Sequence, residues 1–367
     1  MRRFCLVLAA AIALVTATGL AQNGPYKVAK TTKVGGAGGF DYVYADVAGR
    51  KLYIPRTGNQ ANGVTPRITV FDLDTLAPVG EISPHSARGA AVDPKSGHGF
   101  ASSKPVVMWD TKTLKEIKTI DVQGNPDGIM FDAFDGRVHV LSHSAPNDTI
   151  INAADGTVVG TIDLGGAPEQ AQSDGKGTIY VDLEDKDAIA VVDAKTMKVT
   201  ATYDVSATCG GPAGLGLDIK NHILFSTCHT TGKTNEAGHG AMVILDAANG
   251  KVLTTLPIGS GTDGGGFNAN TMEAFSSNGQ AGTLSIVKEE SPTKFVVEQE
   301  LATVTGGNYK TMTIDTKTNR ILLIGAEYQA AAPPATPPPP PPPGGRAGRG
   351  PGRSMVADSF AIMVVSK

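Results

Sequence analysis

The residues best suited to chemistry are imidazole, guanidinium, ammonium and carboxylate side chains in loops at a recurring point along the chain. Such groups could perform general acid–base chemistry, or could hold a charged ligand where loops converge. Histidines together with an acid would also suit a divalent metal, and that set is His85, His143 and His229 with Asp127 or Glu169. The candidate ligand-binding residues are Asp41, Arg56, His85, Arg88, Asp127, His143, Glu169, His229, Asp263, Tyr309 and Lys310, and Glu184 and Glu327 occupy comparable loops.

No cofactor is predicted. The candidate metal ligands come from different repeats, so no local spacing supports a metal site. A bound metal and solvated loop histidines therefore stay as alternatives. The sequence has no Cys-x-x-Cys-His haem motif and no Gly-x-Ser-x-Gly elbow. Gly261–Gly266 lacks the Lys-Ser/Thr of a phosphate loop and is interpreted as turn glycines. His98, His139 and His222 lie beside or within predicted strands, which favours packed or surface positions.

The loops belong to a repeat whose landmark is a short apolar run ending in Asp or Asn. Successive landmarks are roughly 40 to 50 residues apart, a period typical of β-propeller blades built from short strands. They are Asp46, Asp93, Asp132, Asp174, Asp218, Asn268 and Asp315.

Residues 124–166 show one repeat unit in full, with four predicted strands and an Asp155-Gly156 hairpin turn. The third strand ends in Asp in several units, where the carboxylate can accept backbone N–H bonds of the next turn. These acids are therefore interpreted as structural. The third-strand runs are Ile68–Asp72, Val106–Asp110, Ile189–Asp193 and Met242–Asp246.

The seventh unit is split between the two ends of the chain. It supplies strands at Thr311–Asp315, Arg320–Ile324 and Phe360–Val365 but lacks an outer strand, and Tyr26–Val34 is in the right phase to fill that place. Such closure would remove exposed sheet edges. The predicted fold is all-β, a seven-bladed propeller of four-stranded antiparallel blades closed by an N-terminal strand, in one domain over residues 22–367.

The first 21 residues are predicted to be a signal peptide, with Arg2-Arg3, an apolar run at Phe4–Val15 and small residues before the expected cleavage after Ala21. We therefore expect a periplasmic or secreted protein, with no membrane span in the mature chain. Residues 330–353 form a Pro/Gly/Arg-rich insertion, interpreted as a solvated loop or as a docking segment for a partner or an acidic envelope polymer. A net charge of −3 and three arginines in that loop argue against nucleic-acid binding.

Cys209 and Cys228 would be the two cysteines of the mature chain. They flank a predicted hairpin at similar distances from its turn, so they could face each other in an oxidising compartment. The sequence predicts a disulfide, with two buried free thiols as the alternative.

These features resemble the YVTN-repeat propellers, the group that includes YncE-like proteins of bacterial periplasms. The stretches that carry the resemblance are Cys209–Asp218, Leu224–His229, Leu256–Asp263 and Phe275–Gly279. Tyr53-Ile54-Pro55-Arg56 and Tyr180-Val181-Asp182-Leu183 stand where the repeat has its Tyr-Val-Thr-Asn tetrad. The resemblance implies a binding or scaffold protein more often than an enzyme.

Three functions follow as hypotheses. The first is a non-catalytic, monomeric, exported propeller that binds a small molecule, a glycan or a cell-envelope protein at its axial funnel. The second is a lactonase-like or lyase-like enzyme, which would bring His, Arg and Glu side chains to one point in that funnel. The third is an envelope structural protein anchored through the proline-rich loop.

Overall fold

A computed structural model describes residues 23–58, 63–232, 239–306, 308–329 and 354–367. The predicted signal peptide and the 330–353 insertion lie outside these residues, so both remain predictions. The described residues form seven four-stranded antiparallel sheets, with almost no helix apart from a short 3-10 turn at Glu184–Lys186. None of the helices in the described part of the chain has the length and apolar character needed to cross a bilayer.

Blades 1 to 3 each run from the innermost to the outermost strand in chain order. Blade 1 comprises β2 (Tyr44–Asp46), β3 (Lys51–Arg56), β4 (Arg67–Asp72) and β5 (Pro78–Ile82). Blade 2 comprises β6 (Ala87–Asp93), β7 (His98–Ser103), β8 (Val106–Asp110) and β9 (Glu116–Ile120). Blade 3 comprises β10 (Pro126–Asp132), β11 (Arg137–Ser142), β12 (Asn147–Asn152) and β13 (Val158–Asp163).

Blades 4 to 6 repeat this order. Blade 4 comprises β14 (Pro168–Ser173), β15 (Thr178–Leu183), β16 (Ala188–Asp193) and β17 (Lys198–Asp204). Blade 5 comprises β18 (Gly210–Asp218), β19 (Ile223–Thr230), β20 (Gly240–Asp246) and β21 (Val252–Ile258). Blade 6 comprises β22 (Thr262–Asn268), β23 (Glu273–Asn278), β24 (Thr283–Ser291) and β25 (Lys294–Ala302).

Blade 7 joins both ends of the chain, which confirms the predicted closure. It comprises β26 (Thr311–Asp315), β27 (Arg320–Gly325), β28 (Ala361–Ser366) and, as its outer strand, β1 (Lys27–Lys33). β1 pairs antiparallel with β28, from Lys27 opposite Ser366 to Lys33 opposite Ala361.

Tyr26, just before β1, fastens the closing segment to blade 6. Its side chain is buried, its ring packs edge-on against Phe275 at a centroid distance of 5.7 Å, and its hydroxyl donates to Glu273. Its backbone N–H and C=O both bond to the side chain of Gln299, each at 2.9 Å. Because most of β1 itself is exposed, this anchor and the β1–β28 ladder hold the segment in place.

Acids at the ends of strands shape the turns that follow, a role that the sequence predicts for the third-strand acids. Asp46 Oδ1 accepts the backbone N–H of Gly49 at 2.8 Å in the turn that follows β2. The third-strand acids act similarly: Asp110 Oδ1 accepts the N–H of Thr113 and Asp193 Oδ1 that of Thr196, both at 2.7 Å. Each carboxylate thus shapes a tight turn between strands.

The disulfide between Cys209 and Cys228 is present, as predicted, with Cα atoms 5.4 Å apart. Cys209 immediately precedes β18, Cys228 lies in β19, and both side chains are fully buried. The bridge therefore closes the innermost hairpin of blade 5 near the mouth of the axial channel.

Replacing both cysteines by alanine is expected to lower the free energy of unfolding by about 3 kcal/mol, because the bridge constrains a short loop in the unfolded chain. Thermal melts with and without a reductant provide the measurement. Reductant should lower the melting temperature of the native protein and leave the double variant unchanged. Equal melting temperatures for the oxidised protein and the double variant would contradict this expectation.

Candidate functional site

The candidate site lies at the end of the ring where the innermost strands begin. In five blades the pairing of the innermost strand slips near the start of the strand, after Ala87, Pro126, Pro168, Pro212 and Thr262. Such irregularities re-aim the side chain that follows.

The residue after each of these positions is charged in all but one blade. Phe40, bridged to Arg56, and Tyr309, just before β26, mark the equivalent points in blades 1 and 7. We name the resulting set the axial ring: Asp41, Arg88, Asp127, Glu169, Ala213, Asp263 and Lys310. Side chains about forty to fifty residues apart in sequence are thereby brought to one end of the propeller axis.

One half of the axial ring is an ion-pair chain. Lys310 Nζ donates to Asp263 and lies 3.2 Å from Asp41 Oδ1. Asp41 also accepts from Arg88 Nη1 at 3.0 Å, and that nitrogen lies 3.6 Å from Asp127 Oδ1. Burial opposes protonation of Lys310, but the charges of Asp263 and Asp41 outweigh it and raise the lysine pKa.

The other half consists of acids and histidines. The Tyr42 hydroxyl donates to Glu169 Oε2 at 2.9 Å. His143 Nε2 lies 3.4 Å from Glu169 Oε1 and 3.0 Å from Glu184 Oε2. Glu184, which opens the 3-10 turn after β15, also lies 3.3 Å from His229 Nε2. One ligand atom each of His143, Glu169 and Glu184 lies within 4.8 Å of the others.

Two carboxyl groups of the axial ring, those of Glu169 and Asp127, resist ionisation. Burial, followed by the charges of Asp127 and Asp263, raises the pKa of Glu169 to about 8. Burial and the charge of Asp41 raise the pKa of Asp127 to about 6, although Arg88 opposes the shift. The hydrogen bond to Glu184 raises the pKa of His143 above its ordinary value. The shifts reflect burial together with a local excess of carboxyl groups over cations.

We call the axial ring together with His143, Glu184 and His229 the axial cluster. Its residues account for the excess of carboxyl groups. Arg88 and Lys310 are its permanent cations, and both pair with Asp41. The five carboxyl groups are Asp41, Asp127, Glu169, Glu184 and Asp263. The cluster can therefore accept hydrogen bonds and stabilise an added cation, and its raised-pKa acid next to an imidazole could also move a proton.

A cavity of about 440 Å³ extends along the axis from this cluster. Its lining includes Tyr42 and Glu169, together with the innermost strands of all seven blades. Gln170 ties three of these strands together: its Oε1 accepts the N–H of Leu215 at 3.1 Å and of Gly265 at 3.2 Å. Gly214 permits this packing, because a Cβ there would lie 2.3 Å from the backbone nitrogen of Gly265.

Three predicted site residues lie outside the cluster. Arg56 is buried, donates to the carbonyls of Gly36 and Gly38, and stacks on Phe360. His85 Nε2 pairs with Glu116 of the outermost strand of blade 2 at 2.8 Å. Tyr309 packs in the core between blades 6 and 7. Each has a structural partner within its own blade or in a neighbouring one, and among the described residues no side-chain hydrogen bond or ion pair joins any of them to the axial ring.

The other candidates are in the cluster: Asp41, Arg88, Asp127, His143, Glu169, His229, Asp263 and Lys310. Glu327, from the wider set, pairs instead with Lys33 on the surface. The metal set predicted from sequence is likewise not assembled, because His85 is elsewhere, and the group that could hold an ion contains Glu184 in its place. Whether this cluster binds a ligand or a metal remains a prediction.

Comparison with solved structures shows similarity across nearly the whole chain. U3-55K matches with a TM-score of 0.70 at 10% identity, covering 92% of this chain and 99% of its own. The RRP9 WD40 repeats match with a TM-score of 0.69 at 9% identity, covering 93% and 97%. Kuenenia stuttgartiensis hydrazine synthase matches with a TM-score of 0.64 at 15% identity, covering 84% and 95%.

These similarities establish the fold alone. The protein has a WD40-like seven-bladed propeller fold. No protein-family model matches the sequence, and no curated protein matches it. Any functional conclusion must therefore come from the residues of the site.

Sequence reasoning missed two residues of the site. Tyr42 follows the ring position of blade 1 and holds Glu169, and Gln170 follows the ring position of blade 4 and holds the channel strands. Aligning the blades on the start of the innermost strand would have singled out both positions.

Glu169→Gln should change how stability depends on pH. The folded-state pKa of Glu169 is raised from 4.5 to about 8, so in the native protein stability is lost as the pH rises through that interval. Glutamine does not ionise, so the variant should not lose stability in this way. At pH 9 it should be more stable than the native protein by on the order of 3 kcal/mol. Melting temperatures between pH 4 and 9 provide the measurement. Glu116→Gln, on the outer strand of blade 2, is the control, and parallel curves for Glu169→Gln and native protein would contradict the expectation.

Proposed function

We propose that this chain is an exported, monomeric binding propeller of the YVTN-repeat, YncE-like kind, whose axial cluster holds the positively charged group of a small ligand or of a protein partner. One observation carries the proposal: the axial ring concentrates acidic side chains at the axis with too few cations to balance them. An ammonium or guanidinium group beside Glu169 and Glu184 would supply the missing charge.

The shape of the site supports binding. A channel of about 440 Å³ is in the range of small-molecule sites, and its walls are strands rather than mobile loops. Glu169 is the charged residue of the axial ring that lines this channel, and a ligand held there would contact the innermost strands of several blades. A cationic ligand would lower the pKa values of Glu169 and Asp127, so its binding should strengthen as the pH rises from 5 to 8.

The disulfide and the N-terminal sequence support export. Disulfides persist mainly in oxidising compartments such as the periplasm, and the first 21 residues have the composition of a signal peptide. N-terminal sequencing of the protein recovered from a periplasmic fraction would test this part, with cleavage after Ala21 as the expected result.

The binding proposal is tested by calorimetry of the mature protein with agmatine, spermidine and a Lys-Arg dipeptide, against neutral oligosaccharides as the glycan comparison. Saturable binding of at least one cationic probe is expected. The paired variant Glu169→Gln with Glu184→Gln should weaken it by at least about tenfold, since a charge-assisted contact contributes about 1.5–3 kcal/mol. Glu116→Gln should leave it unchanged. Binding only of neutral sugars, or unaltered binding by the paired variant, would overturn the proposal.

A second function, catalysis, is favoured by one observation. Glu169, with a pKa near 8, lies beside His143, and Glu184 contacts the same imidazole nitrogen. This arrangement could supply an acid and a base for a lactonase-like or lyase-like reaction. Turnover of a panel of lactones and uronate-containing oligosaccharides, lost in Glu169→Gln and bell-shaped in pH, would establish the enzyme over the binding protein.

A further inference from the structure

A second polar cluster lies at the opposite end of blade 3 from the axial ring. It consists of Asp132 and Asp135, in the turn between β10 and β11, and His139 in β11. One ligand atom of each lies within 4.8 Å of the others. Asp132 and His139 are fully buried, while Asp135 is partly so. Asp132 lies five residues after Asp127 along β10, a separation of about 17 Å, so the two sites are independent.

Each of the three residues has one buried side-chain atom with no hydrogen-bond partner among the described residues. These atoms are Asp132 Oδ2, Asp135 Oδ2 and His139 Nε2. The other carboxylate oxygens are used. Asp132 Oδ1 accepts from Phe134 N–H at 3.0 Å and from the Ser173 hydroxyl at 2.8 Å. Asp135 Oδ1 accepts from Arg137 N–H at 3.1 Å. Arg137 Nη1 lies 3.2 Å from Asp135 Oδ2, but its hydrogen bond goes to the carbonyl of Ala194.

His139 is oriented as a metal-binding histidine is oriented. Its Nδ1 lies 2.6 Å from Asp148 Oδ2, and a carboxylate there can only accept, so Nδ1 carries the proton in the neutral ring. Nε2 then presents its lone pair towards Asp132 and Asp135. A carboxylate behind the ligating imidazole is the usual outer partner of a metal-bound histidine.

The polar pair interrupts an otherwise apolar pattern. Aligned by strand register, the equivalents of His139 in the other six blades are aromatic or leucine, and the equivalents of Asp148 are aliphatic. The first set is Tyr53, Phe100, Tyr180, Phe225, Phe275 and Leu322. The second set is Ile68, Val106, Ile189, Met242, Leu284 and Ile362.

Burying two ionisable groups at core positions costs free energy unless something compensates for them. Asp148 pairs with Nδ1 of His139, yet the other side of the ring has a buried acid, Asp132, and a partly buried one, Asp135. The equivalent turn of blade 7 shows the contrast: Asp315 uses both oxygens, bonding Lys317 N–H through Oδ1 and the Thr318 hydroxyl through Oδ2.

We propose that Asp132, Asp135 and His139 bind a divalent transition-metal ion, Zn²⁺ or Mn²⁺, that fastens blade 3 to blade 4. One imidazole nitrogen and two carboxylate oxygens suit ions of intermediate softness better than Ca²⁺ or Mg²⁺. Ligand atoms each about 2.1 Å from one ion can be at most about 4.2 Å apart, so a small inward movement completes the site. Water would occupy the remaining positions. The ion joins the blades because Ser173, of blade 4, holds the Asp132 carboxylate.

The competing explanation is a buried imidazolium. Burial opposes protonation of His139, but the charge and hydrogen bond of Asp148 outweigh it and raise the pKa of the histidine. A doubly protonated ring could then face the two aspartates with no metal bound. The two explanations differ in metal uptake and in the protonation of Nε2.

The experiment uses mature protein stripped with EDTA and dialysed, to which Zn²⁺ or Mn²⁺ alone is added. One ion should bind per chain by calorimetry, and at 100 times its dissociation constant it should raise the melting temperature by about 4 °C. The ¹⁵N shift of His139 Nε2 should move to that of a metal-ligated nitrogen. A melting temperature and an Nε2 shift that do not respond to either ion would overturn the proposal in favour of the imidazolium.

Two variants separate this site from the axial cluster. Asp135→Asn keeps the oxygen that caps the turn, and it should weaken metal binding at least about tenfold. His139→Phe with Asp148→Val copies the blade 2 pair of Phe100 and Val106, and it should stay folded but lose the metal response. His143→Gln, in the axial cluster, should retain that response. Loss of the response in His143→Gln but not in Asp135→Asn would place the ion at the axis and refute the blade 3 site.

Discussion

Removal of residues 24–35 is expected to destabilise the whole propeller and to lower its melting temperature by at least about 10 °C, if the protein stays soluble at all. The deletion takes away the outer strand of blade 7, which leaves the hydrogen-bonding edge of β28 exposed. It also takes away Tyr26, whose ring and backbone are bound by Phe275 and Gln299 of blade 6. Because blades support one another around the ring, the loss should spread beyond blade 7.

Thermal melts and limited proteolysis of the mature protein and the deletion variant provide the measurement. A matched control changes side chains but keeps the strand: Lys27→Thr with Lys30→Thr alters two exposed positions of β1 and should shift the melting temperature by less than about 2 °C. A deletion variant with the same melting temperature as the control would show that β1 contributes little to closure.

Arg50→Ala should cost about 3 kcal/mol, because removing one partner of a buried ion pair leaves the other charge unpaired. Arg50, in the first turn of blade 1, binds both carboxylate oxygens of Asp315 in blade 7, at 2.8 and 2.7 Å. The Asp315 side chain is fully buried. Arg320 remains 3.2 Å from one oxygen, which keeps the loss at the lower end of the range for buried pairs.

The pH dependence identifies the carboxylate as the cause. Burial opposes ionisation of Asp315, but hydrogen bonds from Arg50, Thr318 and Arg320 outweigh it and hold its pKa below 3.8. Its stabilising effect is thus complete above the ordinary pKa and is lost as the pH falls below it. Urea titrations measure the free energy of unfolding. The difference in this free energy between native protein and Arg50→Ala should become smaller as the pH falls from 6 to 3.

Lys33→Ala is the control, since Lys33 and Glu327 form an exposed ion pair within blade 7 and should contribute at most about 1 kcal/mol. Two results would argue against the Arg50–Asp315 pair as a contact that closes the ring. One is an Arg50→Ala variant no less stable than Lys33→Ala, and the other is a stability difference from native protein that stays constant with pH.

The sequence determines the blades because alternating strands and Asp-ended turns leave local signals in each repeat. Closure could be predicted too. The seventh repeat unit has no outer strand in the C-terminal sequence, and Tyr26–Val34 is a predicted strand that belongs to no other unit. The axial ring was only partly predictable. Loop position alone put His85, Arg56 and Tyr309 in the funnel, whereas partners far away in sequence, such as Glu116 and Phe360, hold two of them elsewhere.

The blade 3 cluster was harder to predict for a related reason. His139 lies inside a strand, and its sequence neighbours give no sign of an acid beside it. Only the strand register reveals that Asp148 faces the same interior space, and that the corresponding pair is apolar in every other blade. Side-chain chemistry at a core position becomes informative once the equivalent positions of a repeat can be compared.

The pairing of Lys27–Lys33 with Ala361–Ser366 also imposes an order of events on biosynthesis. The first strand to leave the ribosome has no partner until more than three hundred further residues have been made, so it must wait unpaired while six blades take shape. Bringing such distant segments together is slow compared with local hairpin formation. A chaperone that shields the waiting strand would therefore have to act from the time β1 emerges until β28 has been made.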